Sequence, residues 1–303
     1  MKSRVILLFM SIFGFLSCLS GTKPTDSHIR SFRYSYDGTI GANSFSYEII
    51  CDSTGNTLSV EMMEHADYGT MKTAVSDEFM ENLRLLCYKH NIMRWDGYDK
   101  FNKYVCDGSG FSLSVGYEDG SRMSAHGMNM VPDGYRNFEN EMAALFAPVV
   151  EAMLEEARQQ KIAEGISGEM TSMLVNFMQR GASGSDKYEV LIRRDYDFSV
   201  RVKSQSGEFF PVGTYNFSGG KDVEVDWTAF AALVEKHKLI NWYDYNKAAE
   251  DYSNAEWFQI DMGFTECHIS AMGTEHPEGY DAFRRDFLML LKATVEKSGL
   301  QPN

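Results

Sequence analysis

The sequence predicts an α+β fold of two homologous tandem domains, each an antiparallel sheet with about two helices packed on one face. Three observations carry that expectation. First, a phrase is written twice: Ser124-Ala125-His126-Gly127, then Pro132-Asp133-Gly134-Tyr135 and Phe138, returns as Ser270-Ala271-Met272-Gly273, then Pro277-Glu278-Gly279-Tyr280 and Phe283. Second, His90-Asn91-Ile92-Met93-Arg94-Trp95 with Tyr98 matches His237-Lys238-Leu239-Ile240-Asn241-Trp242 with Tyr245. The register slips by one residue before the glycines and by one more before the tyrosines. Third, each half places alternating segments before helix-periodic ones, roughly in the order β-β-β-α-β-β-α.

In the first half, Phe32–Tyr36 alternates and Phe45–Cys51 is rich in aromatic and branched residues. Leu58–Met62 follows a Ser53-Thr54-Gly55-Asn56 turn, so all three segments read as strands. Ser76 offers an N-cap, with Asp77 and Glu78 in the first helical turn and Phe79, Leu83, Leu86 and Cys87 at helical spacing. A polar loop is expected from Trp95 to about Gly110. Phe111–Val115 then alternates, Asp119-Gly120 signals a tight hairpin, and Arg122–His126 is the return strand. A helix carrying Phe138, Met142, Leu145 and Val149 closes the repeat.

The second half repeats the order. Tyr188–Ile192 and Phe198–Val202 read as strands, and Asp226 caps a helix with Phe230, Leu233 and Val234. Trp257–Met262 and Cys267–Ala271 form a hairpin, and Tyr280–Val295 the last helix. Tyr47-Glu48-Ile49-Ile50 resembles Tyr188-Glu189-Val190-Leu191 in a shifted register, so the early strands have drifted further. The expected organisation is 1–17 leader, 18–30 tether, 31–150 first repeat, 151–173 linker and 174–298 second repeat. The linker is either a semi-rigid spacer or an extension of the Phe138 helix.

The N-terminus carries Lys2 and Arg4 and then Val5–Leu16, an apolar run too short to span a bilayer. Phe15-Leu16-Ser17-Cys18 resembles the bacterial lipobox, in which the cysteine is lipidated and becomes the first mature residue. An ordinary secretory peptide with an incidental Cys18 is the alternative. Leu19 stands where the resemblance brings in an aspartate rule for inner-membrane retention, so a palmitate-bearing outer-membrane anchor facing the periplasm is expected, ahead of surface display.

The formal net charge is −14, and removal of Lys2 and Arg4 makes the chain more acidic still. Such a charge repels phosphate backbones, and nucleic acid is excluded as an expected partner. Cys51, Cys87, Cys106 and Cys267 occupy positions whose duplicates are not cysteine, so no disulfide framework is shared by the repeats. One pairing within the first repeat stays open.

Several groups invite a functional reading. The corner of Gly127 and Tyr135, and its copy at Gly273 and Tyr280, offers a helix N-terminus, but a fold needs this turn twice and a catalytic site rarely does. Trp95, Tyr98, Trp242 and Tyr245 either line a groove or close the core. His90 and His237 sit at helix C-termini and suit a cap. His268, His276, Glu275 and Cys267 lack the spacing of a zinc helix or knuckle. Acids at Asp195 and Asp197, and at Asp222, Glu224 and Asp226, read as solvated, and Gly181-Ala182-Ser183-Gly184-Ser185 departs from a nucleophile elbow. No catalytic, cofactor or metal residue is assigned, and Cys18 is the sole modification site.

The Trp95 string, the alternating strand with its Asp-Gly hairpin and the Gly-Pro-Gly-Tyr corner resemble an uncharacterised, tandemly duplicated domain of bacterial, Bacteroidetes-type lipoproteins. The resemblance implies an envelope location and no chemistry. The expected function is a non-enzymatic envelope binding module for a protein, peptide or glycan, without a cofactor. A hydrolase with a cleft between the repeats, or an inhibitor or immunity-type factor, is the alternative.

Overall fold

The computed structural model describes residues 25–38, 44–105, 108–179, 186–194, 197–219, 223–249 and 255–299. The leader 1–17, Cys18, most of the tether, Cys106, Gly181–Ser185, Asp195 and Asp222 lie outside the described residues. The fold is α+β, and the chain divides between Ala157 and Arg158 into two compact units.

The first unit runs β1 (Ile29–Asp37), β2 (Phe45–Asp52), β3 (Gly55–Met62), β4 (Met71–Ala74), α1 (Asp77–Lys89), β5 (Tyr98–Phe101), β6 (Gly110–Tyr117), β7 (Arg122–Met128) and α2 (Tyr135–Glu164). The second runs β8 (Met170–Gln179), β9 (Lys187–Arg193), β10 (Phe198–Ser204), β11 (Gly213–Gly219), α3 (Trp227–Lys236), β12 (Tyr245–Lys247), β13 (Glu256–Phe264), β14 (His268–Gly273) and α4 (Tyr280–Ser298). Each unit holds one seven-stranded sheet, in the orders β4-β3-β2-β1-β6-β7-β5 and β11-β10-β9-β8-β13-β14-β12. Position for position, these are one topology written twice.

Each half therefore holds more strands than its periodicity alone suggests. β4 and β11 extend one edge, and the short β5 and β12 form the other. Those last two pair in parallel with β7 and β14, while every other pairing is antiparallel. Residues 151–173 resolve into two elements: α2 continues to Glu164, and β8 begins at Met170.

Two helix starts expected from sequence are built by side chains. Ser76 Oγ accepts from the Phe79 amide at 3.1 Å, and Asp226 Oδ1 from the Ala229 amide at 2.9 Å. Each satisfies an amide that the first helical turn leaves without a partner. The Asp-Gly hairpin joins β6 to β7, with Gly120 at φ 85°, where a Cβ would be strained.

Alternation decides which face the helices cover. In the first unit Phe32, Tyr34, Ile49, Leu58, Val60, Leu113 and Val115 point inward, against Phe79, Leu83, Phe138, Met142 and Phe146 of the helices. Ser31, Arg33 and Ser35 of β1 point to the opposite face. Phe146 is the central knob, stacked on Tyr47 at 4.6 Å and met edge-on by Phe79 at 5.1 Å. Burying such a ring contributes about 2–3 kcal/mol. The second unit has its own core, in which Phe287 meets Phe177 and Phe230.

Candidate functional site

The repeated corner is built alike in both units. The Trp95 indole donates to the Asp133 carbonyl at 3.2 Å, and Trp242 to the Glu278 carbonyl at 3.2 Å. Each indole also meets a helix phenylalanine edge-on, Trp95 on Phe138 at 5.5 Å and Trp242 on Phe283 at 5.4 Å. Trp95, Trp242, Tyr135 and Tyr280 are only 3%, 3%, 1% and 2% exposed, so these four belong to the core, Tyr135 showing no more than an edge to the surface. The glycines permit close backbone approach. A Cβ on Gly127 would strike the Met130 carbonyl oxygen and the Phe111 ring, and one on Gly273, at φ 151°, the Lys247 carbonyl oxygen.

His90 and His237 occupy the C-cap positions of α1 and α3, yet their rings serve the neighbouring helix. His90 Nε2 lies 3.3 Å from Glu141, and His237 Nε2 lies 3.0 Å from Asp286. The preceding lysines, Lys89 and Lys236, reach the same carboxylates at 2.7 Å. Lys236 and then His237 hold the Asp286 carboxyl down at about 2, and Lys89 and His90 lower that of Glu141. This duplicated clamp ties together the two helices of each unit.

The other candidates are dispersed. His268 faces Asp261 at 3.7 Å at one end of β14, whereas His276 lies beyond the other end, where its Nε2 donates to the Glu256 carbonyl at 3.1 Å. Cys267 donates to the Ser167 carbonyl at 3.5 Å. Among the described residues, no three His, Cys, Asp or Glu side chains are grouped to hold a metal ion. Cys51, Cys87 and Cys267 are free thiols, and burial pushes the Cys87 thiol up to about 12. Of the acids, Asp226 is the cap described above and Glu224 pairs with Lys297 at 2.8 Å.

The two copies differ at the surface of the corner. In the second unit, His276 lies flat on Tyr280, with ring centroids 4.0 Å apart and planes 24° from parallel. Counting back from the shared proline, the first unit has Val131 at that place. A cavity of about 330 Å³ opens there, walled by Tyr36, Phe111, Tyr135, Val105, Met130 and Val131, with Arg136 among its lining residues. Below it, the Tyr34 and Tyr135 hydroxyls are 2.7 Å apart, and both reach Glu139 Oε1, at 3.1 and 3.2 Å. Burial raises the pKa of both phenols, which stay neutral.

Register sets out two rows at this end of the sheet. Tyr36 of β1 pairs with Phe111 of β6, Phe111 with Gly127 of β7, and Gly127 with Lys100 of β5, the row on the cavity's face. Asp37, Gly110, Met128 and Phe101 form the next row, which alternation turns to the opposite face. Phe101 in that row is 65% exposed and Tyr104 just beyond it 84%. The expected polar loop after Trp95 thus holds an edge strand and two solvent-facing aromatics. The sequence signal was present in Phe101, Tyr104, Val105, Met130 and Val131, large apolar residues outside any periodic run. A second cavity of about 490 Å³ opens beside Phe45 and Met63, but its Glu61 is already held by Thr70 at 2.6 Å.

Compared with protein-family models, curated proteins and solved structures, the chain matches none.

Proposed function

We propose that the chain is a non-enzymatic binding module, held at the outer membrane by a lipid on Cys18 and facing the periplasm. The observation that carries the binding reading is the set of exposed apolar side chains at the first unit's corner, Phe101, Tyr104, Val105, Met130 and Val131, the last three lining its cavity. A duplicated fold explains features kept in both copies, whereas these side chains are not kept: His276 stands at the position of Val131 and Ala248 at that of Phe101. Exposed aromatics beside an apolar cavity are what a ligand surface requires. The groups beneath the cavity favour binding over proton transfer, because the Tyr34 and Tyr135 phenols are held neutral far above physiological pH. The leader and its Cys18 support the anchor, together with the lipoprotein-like motifs of each repeat.

Two measurements on the full-length chain test the two halves of this reading. Cys18→Ala is expected to move the protein from the membrane to the soluble envelope fraction; continued membrane association sinks the anchor. Crosslinking in intact cells is expected to give a discrete adduct that Phe101→Ser with Tyr104→Ser removes. An adduct insensitive to both changes puts the binding surface elsewhere, and turnover of an ester, peptide or glycoside by the purified chain supports the hydrolase alternative instead.

A further inference from the structure

We infer that the corner cavity of the first unit receives one large apolar side chain of an extended peptide, with an acidic residue beside that anchor, and that the peptide runs along the edge of β5. This deepens the binding-module reading and rests on it.

Four observations select a peptide of this kind. The accessible walls are the aliphatic Val105, Met130 and Val131, set over the edges of the buried Phe111 and Tyr135 rings, which suits a leucine or phenylalanine side chain. Ser109 and Asn129 line the cavity as well, so the preference for an apolar side chain over a sugar rests on the share of its wall that Val105, Met130 and Val131 supply. β5 is the last strand of its sheet, so an extended segment can add beside it through main-chain hydrogen bonds while a side chain enters the adjacent cavity.

Charge supplies the fourth. In a chain of formal charge −14, this corner still presents two cations, set against the exposed Asp37 at the end of β1: Arg136 lines the cavity with its side chain 62% exposed, and Lys103 lies over the Tyr104 ring at 5.3 Å. Glu139 engages one guanidinium nitrogen of Arg136, and a guanidinium carries five donors in all. An acidic peptide is therefore attracted to this rim, although the protein as a whole repels it.

The second unit carries different side chains at this corner. His276, at the position of Val131, covers Tyr280, and Phe101 and Tyr104 correspond to Ala248 and Asp251. Val131→His thus imports a residue that this corner already accommodates in the other copy.

The test is fluorescence polarisation of the mature full-length chain with fluorescein-labelled pentapeptides. Their centre is phenylalanine, leucine or serine, and their flanks are glutamate or lysine. Phenylalanine- and leucine-centred peptides with glutamate flanks are expected to bind, and serine centres or lysine flanks to weaken binding about tenfold or more. Val131→His and Tyr104→Ser should each weaken it about tenfold, while Leu85→Ser and Met289→Ser, at exposed helix positions, leave it unchanged. Tyr104 is too exposed for its loss to threaten folding, so its variant stays informative even where Val131→His melts early.

Binding that ignores the central residue, or that survives both variants, overturns the inference. So does a glycan-array signal abolished by Val131→His, or a dimer of this chain dispersed by Tyr104→Ser with the peptides silent. If the peptides stay silent while the cellular adduct still depends on Phe101 and Tyr104, this inference fails and the binding-module reading stands.

Discussion

The hydroxyls of Tyr34 and Tyr135 lie 2.7 Å apart beneath the open corner, joining the sheet to the first residue of the corner helix. Both also lie within reach of Glu139 Oε1, and their two protons serve two of these three contacts at a time, so neither phenol depends on the other alone. Single changes to phenylalanine should accordingly cost little, roughly 1 kcal/mol each, because the remaining hydroxyl keeps Glu139 as acceptor. Denaturant titrations of Tyr34→Phe, Tyr135→Phe and the double variant are expected to give a coupling of about 1 kcal/mol. Strict additivity would mean that the bond carries no net stability.

The same burial predicts sensitivity to base. Tyr34, Tyr117, Tyr135, Tyr188 and Tyr280 all have pKa values raised by burial from the ordinary 10.0. Below that value folded and unfolded chains both hold these protons. Above it the unfolded chain sheds them and the folded chain does not, so stability falls as pH rises past about 10. Absorbance of tyrosinate near 295 nm should therefore rise together with loss of the fold. A smooth titration of all sixteen tyrosines with the fold intact contradicts this.

The carboxylate clamp of the second unit works at the other end of the pH scale. Lys236 foremost, and His237, hold Asp286 at about 2, below its ordinary 3.8. A depressed carboxyl contributes stability above its unfolded value and loses it as pH falls through the folded one. Asp286→Asn should lower stability at neutral pH by about 0.5–1 kcal/mol, in the range of solvent-screened pairs. Thermal melts of variant and parent are expected to converge as pH drops from about 4 towards 2, and a constant gap across that window would dissociate the clamp from stability.

How much of this was legible in the chain depended on how local the cause was. Ser76 and Asp226 announced their helices because a cap acts within three residues. The Asp119-Gly120 turn did the same for its hairpin. The β5 and β12 strands were not readable, since each is short and pairs in parallel with a strand more than twenty residues away. β8 followed a charged helix closely enough that Met170, Met173, Val175 and Phe177 did not stand out as an alternating set. The corner cavity was the least legible feature, because Tyr36, Phe111 and Gly127 share a row only once three strands are in register.

One further exchange between the copies separates scaffold from surface. Glu139 of the first unit corresponds to Arg284 of the second, so the group one helical turn after the corner tyrosine has opposite charge in the two halves. Tyr280 donates to Glu256 Oε1 at 2.5 Å, and Arg284 Nε lies 3.0 Å from the same oxygen. The guanidinium also sits over Phe177 at 5.5 Å and Tyr188 at 5.7 Å, which shields it from water. Installing the first copy's residue, Arg284→Glu, places two carboxylates together where both are largely buried. A loss of about 3 kcal/mol or more is expected, because Glu256 is left uncompensated. Adding Glu256→Gln should recover part of that loss by removing the like-charge contact. Calorimetry of the single and double variants checks both signs, and a double variant no more stable than Arg284→Glu alone would show that the lost ring contacts, not the charge, had set the cost.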